Sequence, residues 1–146
     1  MSSSTAEHLL LDASALVELV VAGRHRDAAE RLLRRVARDP HLVLMTAAHG
    51  LVEATNALRG LVRGRHLSSE QGRAAVGWLR ELDLVLDPSG PRLPRVWELR
   101  DRMSAYDAAY AASAEALGLP LITADERLLR ACADAGIEAV ALSARA

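Results

Sequence analysis

The sequence predicts a three-layer α/β/α fold around a central, mainly parallel sheet of four to five strands. Three observations lead there. Short apolar runs alternate with segments of helical periodicity along the whole chain. The runs are apolar at successive positions rather than at every second one, as in strands covered on both faces. Glycine and proline fall where helices should stop and turns begin. A parallel sheet with helices on both faces satisfies all three.

His8 to Asp12 (HLLLD) is a strand ending in an acid. Ala13 to Val21 carries Leu16, Val17, Leu19 and Val20 for a helix, with Gly23 as its stop. From Asp27 to Arg38, Ala28, Ala29, Leu32, Leu33 and Val36 oppose Arg31, Arg34, Arg35 and Arg38, giving an amphipathic helix with a solvated basic face. Asp39-Pro40 turns the chain into a strand from Leu42 to Met45, and Leu51 to Val62 is a helix closed by Gly64. Ser68 and Gln71 stand at capping-box spacing and open a helix to about Leu82. Leu84 to Leu86 is a strand, and Pro88, Gly90, Pro91 and Pro94 build a loop before a short helix from Val96 to Arg102. A longer helix runs from Tyr106 to Leu117 and stops at Gly118. Leu119 to Thr123 is a strand, Glu126 to Ala135 a helix ended by Gly136, and Glu138 to Leu142 the last strand.

With 146 residues, 51% of them hydrophobic, the chain has material for one core, so a single domain over 1–146 is expected, with 1–6 a flexible tail. No apolar stretch approaches the roughly 20 residues of a membrane span, and the start has neither a basic nor a sustained apolar region, so a cytoplasmic protein is expected. Cys132 is the only cysteine; it has no disulfide partner and fills core, which removes thiolate zinc sites. The net charge of −1 leaves polyanion binding to local patches. All 18 basic residues are arginine. Without lysine, P-loop and Schiff-base chemistry are excluded, whereas bidentate phosphate contacts are not.

Four acids mark places where a strand ends or a helix begins: Asp12, Glu53, Asp107 and Asp125. In an open parallel sheet such positions return to one edge, beyond the carboxyl ends of the strands. Three of the acids have a plainer explanation as caps. Asp12 fits a helix N-cap, Thr123 with Glu126 fits a capping box that makes Asp125 a first-turn acid, and Ser104 with Asp107 has capping spacing. Caps do not explain Glu53 among Leu51, Val52 and Ala54, nor the polar companion of every acid: Ser14, Asn56, Tyr110 and Thr123. Carboxylates forced together bind protons or a cation, and an all-oxygen set selects Mg²⁺ or Mn²⁺. Such a cation suits phosphodiester hydrolysis. His8, His25, His41, His49 and His66 have no metal spacing, and a surface or helix-start role is expected for His49.

These residues resemble the PIN domain, and within it the VapC-type ribonuclease toxins of type II toxin–antitoxin systems. The likeness runs from LLLDASALVELV through LVEATNALRGLVRGRHLS to VWELRDRMSAYDAAYAASAEALGLPLITADERL, and the last block is the most specific. The resemblance implies a PIN-like fold and an Mg²⁺- or Mn²⁺-dependent endoribonuclease whose metal-activated water hydrolyses tRNA, rRNA or mRNA. It implies an acidic metal site of Asp12, Glu53, Asp107 and Asp125, with Ser14, Asn56 and Thr123 in support. It further implies a small VapB-like antitoxin and a homodimer, the helices 51–63 and 68–82 supplying the antitoxin groove. Arg59, Arg63, Arg65, Arg100 and Arg102 are candidate RNA-phosphate contacts. The segment TAAHG before Glu53 lacks the proline common in relatives. Only Trp78, Trp97, Tyr106 and Tyr110 are aromatic, so recognition through RNA shape and phosphates is expected rather than base stacking.

Other acid-bearing α/β families fit less well. A haloacid-dehalogenase-like phosphotransferase needs a second Asp where Ser14 stands and a later lysine; a receiver domain needs the lysine too. A non-catalytic PIN-like module that binds RNA or protein, and a PIN nuclease without antitoxin, remain as alternatives.

Overall fold

The computed structural model describes residues 5–145, with the backbone only for Arg145. Of the expected 1–6 tail, 1–4 lie outside the described residues, and Thr5 and Ala6 are exposed ahead of the first strand. The sheet has five strands, β1 (Glu7–Leu11), β2 (Leu42–Ala47), β3 (Leu84–Asp87), β4 (Leu121–Thr123) and β5 (Ala139–Ala141), in the order β3-β2-β1-β4-β5. Every neighbouring pair is parallel.

From β1 the chain moves outward to β3 through α1 (Ala13–Val20), α2 (Arg26–Arg38), α3 (Gly50–Arg63) and α4 (Ser69–Glu81). It then crosses back over β1 to β4 through α5 (Leu93–Glu98) and α6 (Ala105–Leu117), and reaches β5 through α7 (Glu126–Asp134). Right-handed crossovers in opposite directions place α1–α4 on one face of the sheet and α5–α7 on the other. Helix packing agrees: α1 touches α2, α3 and α4, while α5 touches α6. Leu9, Leu10, Leu11, Leu121 and Ile122 are fully buried, as central strands covered on both faces require. In α6 every residue from Asp107 to Ala114 is buried, so its alanines are the small contacts of an enclosed helix rather than an amphipathic stripe.

The Ser68–Gln71 capping box forms as expected, and Gly118 ends α6 with a left-handed φ of 66°. Three expectations need correction. The short helix begins at Leu93 rather than Val96 and follows a 3₁₀ turn over Gly90–Arg92; Pro94 sits in its first turn, where no N–H is needed. The fourth strand begins at Leu121, because the Leu119 N–H is taken by Ala114 O at the end of α6 and Pro120 has no N–H. The Thr123–Glu126 capping box does not form, and Asp125 itself caps α7. A last helical turn, α8 (Leu142–Arg145), packs on α2 and was not anticipated.

Candidate active site

The strand order reverses at β1, which opens a crevice beyond the carboxyl ends of β1 and β4. Leu11 pairs with Ile122, and the Asp12 N–H donates to Ile122 O at 3.1 Å, so Asp12 and Thr123 leave the sheet side by side. Asp12 is buried. Its Oδ1 accepts from Ser14 Oγ at 2.7 Å and from the Ala15 N–H at 2.9 Å, while Oδ2 accepts from Thr123 Oγ1. Thr123 Oγ1 in turn accepts the Asp125 N–H at 3.0 Å, and Ser14 Oγ accepts the Ala124 N–H at 2.9 Å. Two hydroxyls thus tie the end of β1 to the end of β4. Burial pushes the Asp12 carboxyl up to about 6; the three hydrogen bonds oppose this and Asp125 adds to it.

Asp125 caps α7 through Oδ1, which accepts from the Arg127 and Leu128 N–H groups at 2.9 and 3.3 Å. Its Oδ2 faces the Arg127 guanidinium at 3.3 Å, and the same Nη2 donates to Asp107 Oδ2 at 2.9 Å. One guanidinium therefore bridges two of the four acids. Asp107 is placed by the first turn of α6, where its N–H donates to the Ser104 N-cap. Cys132, buried beneath, has its thiol pushed up to about 11 by burial and then by Asp107 and Asp12, which is the expected inert core thiol.

Glu53 and Asn56 lie on α3, one turn apart. Glu53 Oε2 is buried without a hydrogen bond; His49 Nε2 lies 3.1 Å from it but off hydrogen-bond geometry. Tyr110 is fully buried, its hydroxyl has no hydrogen bond, and burial with the charges of Glu53 and Asp12 raises its pKa. His49 packs between Tyr110 at 4.6 Å and Tyr106 at 5.9 Å between ring centroids. A cleft of about 520 Å³ opens here, lined by His49, Val52, Glu53, Asn56, Ser104, Tyr106, Asp107 and Arg127.

The structure therefore brings the four acids and Ser14, Asn56, Thr123 and Tyr110 to one edge of the sheet. It does not bring the candidate arginines there. Arg59 and Arg63 line a groove between α3 and α4 with Arg73, and Arg65, with φ 60°, is in the turn after α3. Arg100 lies over Trp97 and donates to its carbonyl, and Arg102 donates to Asp134 O. The arginine in the cleft is Arg127 of TADERL, for which the sequence pattern suggests no role. His49 is a helix-start residue as expected, yet its ring belongs to the cleft; its offset of four from Glu53 was the available signal. Asp87 was also missed. It ends β3 in LVLD much as Asp12 follows β1 in LLLD, but Arg92 holds it in a two-point ion pair at 2.9 and 3.1 Å and Ser113 donates to it. Arg92 first, then Ser113, keeps this carboxyl below its ordinary range against the effect of burial. It is a neutralised structural acid.

The donors at the cleft fit a hard divalent cation: carboxylates, hydroxyls and a buried carboxylate oxygen that accepts no hydrogen bond. Among the described residues no three His, Cys, Asp or Glu side chains stand together as a finished cage. Arg127 supplies the positive charge that Asp107 and Asp125 require as they stand.

Residues 9–134 match the PIN domain. This chain belongs to the PIN-domain family. Ribonuclease VapC9 of Mycobacterium tuberculosis is 41% identical over 123 residues, which cover 82% of this chain and 87% of that protein. Among solved structures, PAE2754 from Pyrobaculum aerophilum superposes with a TM-score of 0.67 at 22% identity, covering 99% of this chain and 95% of that one. VapBC2 from Rickettsia felis, bound to a DNA fragment from its promoter, gives 0.64 at 15% identity over 92% and 98%. At those identities the structures establish the shared PIN fold, and VapC9 places the chain among the VapC members of the family. No helix among the described residues is long and apolar enough to cross a membrane.

Proposed function

We propose that this PIN-domain protein is an endoribonuclease toxin that hydrolyses RNA phosphodiester bonds with Mg²⁺ or Mn²⁺ and is held by a VapB-like antitoxin in the cytoplasm. The observation that carries the reading is the gathering of Asp12, Glu53, Asp107 and Asp125 from four segments onto one edge of the sheet, with Arg127 already standing as counter-charge to Asp107 and Asp125. Asp12, Asp107 and Asp125 are the groups to hold the cation, and Glu53 to orient a water. Ser14 and Thr123 fix the Asp12 carboxylate and keep its lone pairs aimed. A bound divalent cation neutralises phosphate charge and acidifies a coordinated water. The net change is addition of water across one P–O bond, the departing oxygen of the next nucleotide taking up a proton.

The groove of Leu58, Val62 and Val76, with Arg59, Arg63 and Arg73 beside it, combines apolar and basic surface for an antitoxin segment. tRNA, rRNA and mRNA are all chemically suitable substrates, and a homodimer is the expected assembly, read from the molar mass of the purified protein.

Purified protein incubated with structured RNA should cut it with Mn²⁺ or Mg²⁺, not with EDTA, and without leaving 2′,3′-cyclic phosphate. Asp107→Asn should remove the cutting while circular dichroism stays unchanged. Undiminished cleavage by that variant, or cyclic-phosphate ends, rejects the reading and leaves a binding module. Arg127→Ala should tighten Mn²⁺ binding a few-fold in calorimetry, because it frees two carboxylates from their internal cation.

A further inference from the structure

The rings of Tyr110, His49 and Tyr106 form a ladder from the core to the cleft. Tyr110 is fully buried, His49 packs on it at 4.6 Å, and Tyr106 follows at 5.9 Å with an interplanar angle of 50°. The last rung is 67% exposed and directly precedes Asp107 in the first turn of α6. The other exposed aromatics lie elsewhere: Trp97 is covered by Arg100 at 4.7 Å, and Trp78 lines the grooves beside α1 and α2. Tyr106 is thus the exposed aromatic in the acidic cleft, among the described residues. Val52, 75% exposed, and the exposed amide of Asn56 line the same cleft. An aromatic plane, an apolar side chain and an amide around a space of about 520 Å³ are the parts needed to receive a flat heterocycle with hydrogen-bonding edges.

We infer that the cleft contains a subsite for one unstacked nucleobase, which stacks on Tyr106 and presents an edge to Asn56, next to the phosphate that the acids act on. The inference rests on the nuclease reading above and adds what that reading lacks: a base contact in a chain poor in aromatics. The ladder explains why the platform is useful. His49, itself packed on Tyr110, backs Tyr106, so less side-chain freedom is lost when a base settles on it. A ring that stacks any base but an amide that reads an edge gives a graded preference among bases at one position. The lone sequence-derived expectation of recognition by shape and phosphate is then incomplete by this one contact.

The test uses the full chain and fluorescein-labelled single-stranded 12-mers of A, C or U, with Ca²⁺ present and the RNA recovered uncut. A matched ribose-phosphate 12-mer without bases serves as the comparison. Fluorescence anisotropy should show Tyr106→Phe within about twofold of the unaltered protein, and Tyr106→Ala weaker on base-bearing RNA by roughly 5- to 150-fold, the range for loss of one stacking contact. On the baseless backbone the variants should bind alike. Asn56→Ala should compress the differences among A, C and U without abolishing binding. Equal affinity of Tyr106→Ala and unaltered protein for base-bearing RNA overturns the inference and leaves Tyr106 to a peptide partner. The same loss on the baseless strand also overturns it, since Tyr106 then acts only through the shape of the cleft. Failure of the unaltered protein to bind the base-bearing strands any better than the baseless one overturns the inference too, whereas the nuclease reading stands or falls on the cleavage of structured RNA.

Discussion

Asp12→Asn should yield a protein that is more stable than the parent and unable to cut RNA. Asp12 is buried, and its carboxyl is raised from an ordinary 3.8 to about 6, chiefly by desolvation. Holding it ionised at neutral pH therefore costs on the order of 3 kcal/mol in the metal-free protein. An asparagine keeps the shape and accepts the same bonds from Ser14 and the Ala15 N–H; its amide donates to Thr123 Oγ1, which turns its own proton to Ser14, 3.1 Å away. The expected gain is about 1–3 kcal/mol, or roughly 2–12 °C in Tm in EDTA. The pH dependence has a definite sign. Between about pH 4 and 6 the folded parent binds more protons at Asp12 than the unfolded chain, so this contribution to stability is full below 3.8 and is lost as pH rises through about 6. Melting curves in that window should show the slope in the parent and not in Asp12→Asn. Cleavage should fall by more than the ~10- to 100-fold typical of losing a group that only orients a metal ligand. A still active variant would mean that Asp12 is a structural cap and nothing else, and a less stable one would overturn the desolvation argument.

Gly50→Ala should be the glycine-to-alanine change that meets the closest contact, and a damaging one. A Cβ at Gly50 would collide with Thr46 Oγ1 and come within 2.9 Å of its Cγ2, and Thr46 is fully buried in β2. This close approach is what lets α3 start directly off β2 and carry His49 and Glu53 to the cleft. Forcing the helix away should cost about 1–3 kcal/mol and roughly 2–12 °C in Tm. Cleavage should drop as well, because Glu53 moves with the helix. Thr46→Ala removes the two nearest atoms, and Thr46 Oγ1 makes no hydrogen bond that would be lost. The double variant should therefore recover most of the stability, a coupling that a double-mutant cycle measures directly. Additive losses would show that Gly50 is needed for some reason other than its contact with Thr46.

Much of the candidate site was legible because strand ends announce themselves. LLLD and LITAD each run out of an apolar strand into an acid, and a parallel sheet sends both to one edge, so Asp12, Thr123 and Asp125 follow from local pattern alone. Asp107 followed from SAYD at the head of a helix, and Glu53 from a charge set among apolar neighbours. The same logic failed on LVLD, because nothing local says that Arg92 and Ser113 will neutralise Asp87. It also failed on the arginines. No local pattern marks Arg127, which reaches Asp125 across the first turn of α7 and Asp107 at the head of α6, 20 residues away in the chain.

By itself the sequence determined the parallel α/β architecture, the ends of most elements and the identity of the acids, because these follow from apolar runs, turn residues and caps acting over a few positions. The tertiary structure alone decided which charges meet. It buried Asp12 and raised its pKa, neutralised Asp87, bridged Asp107 and Asp125 with Arg127, and stood Tyr106 on His49 at the mouth of the cleft. Those properties come from desolvation and from distances between segments far apart in the chain, which no short stretch of sequence encodes.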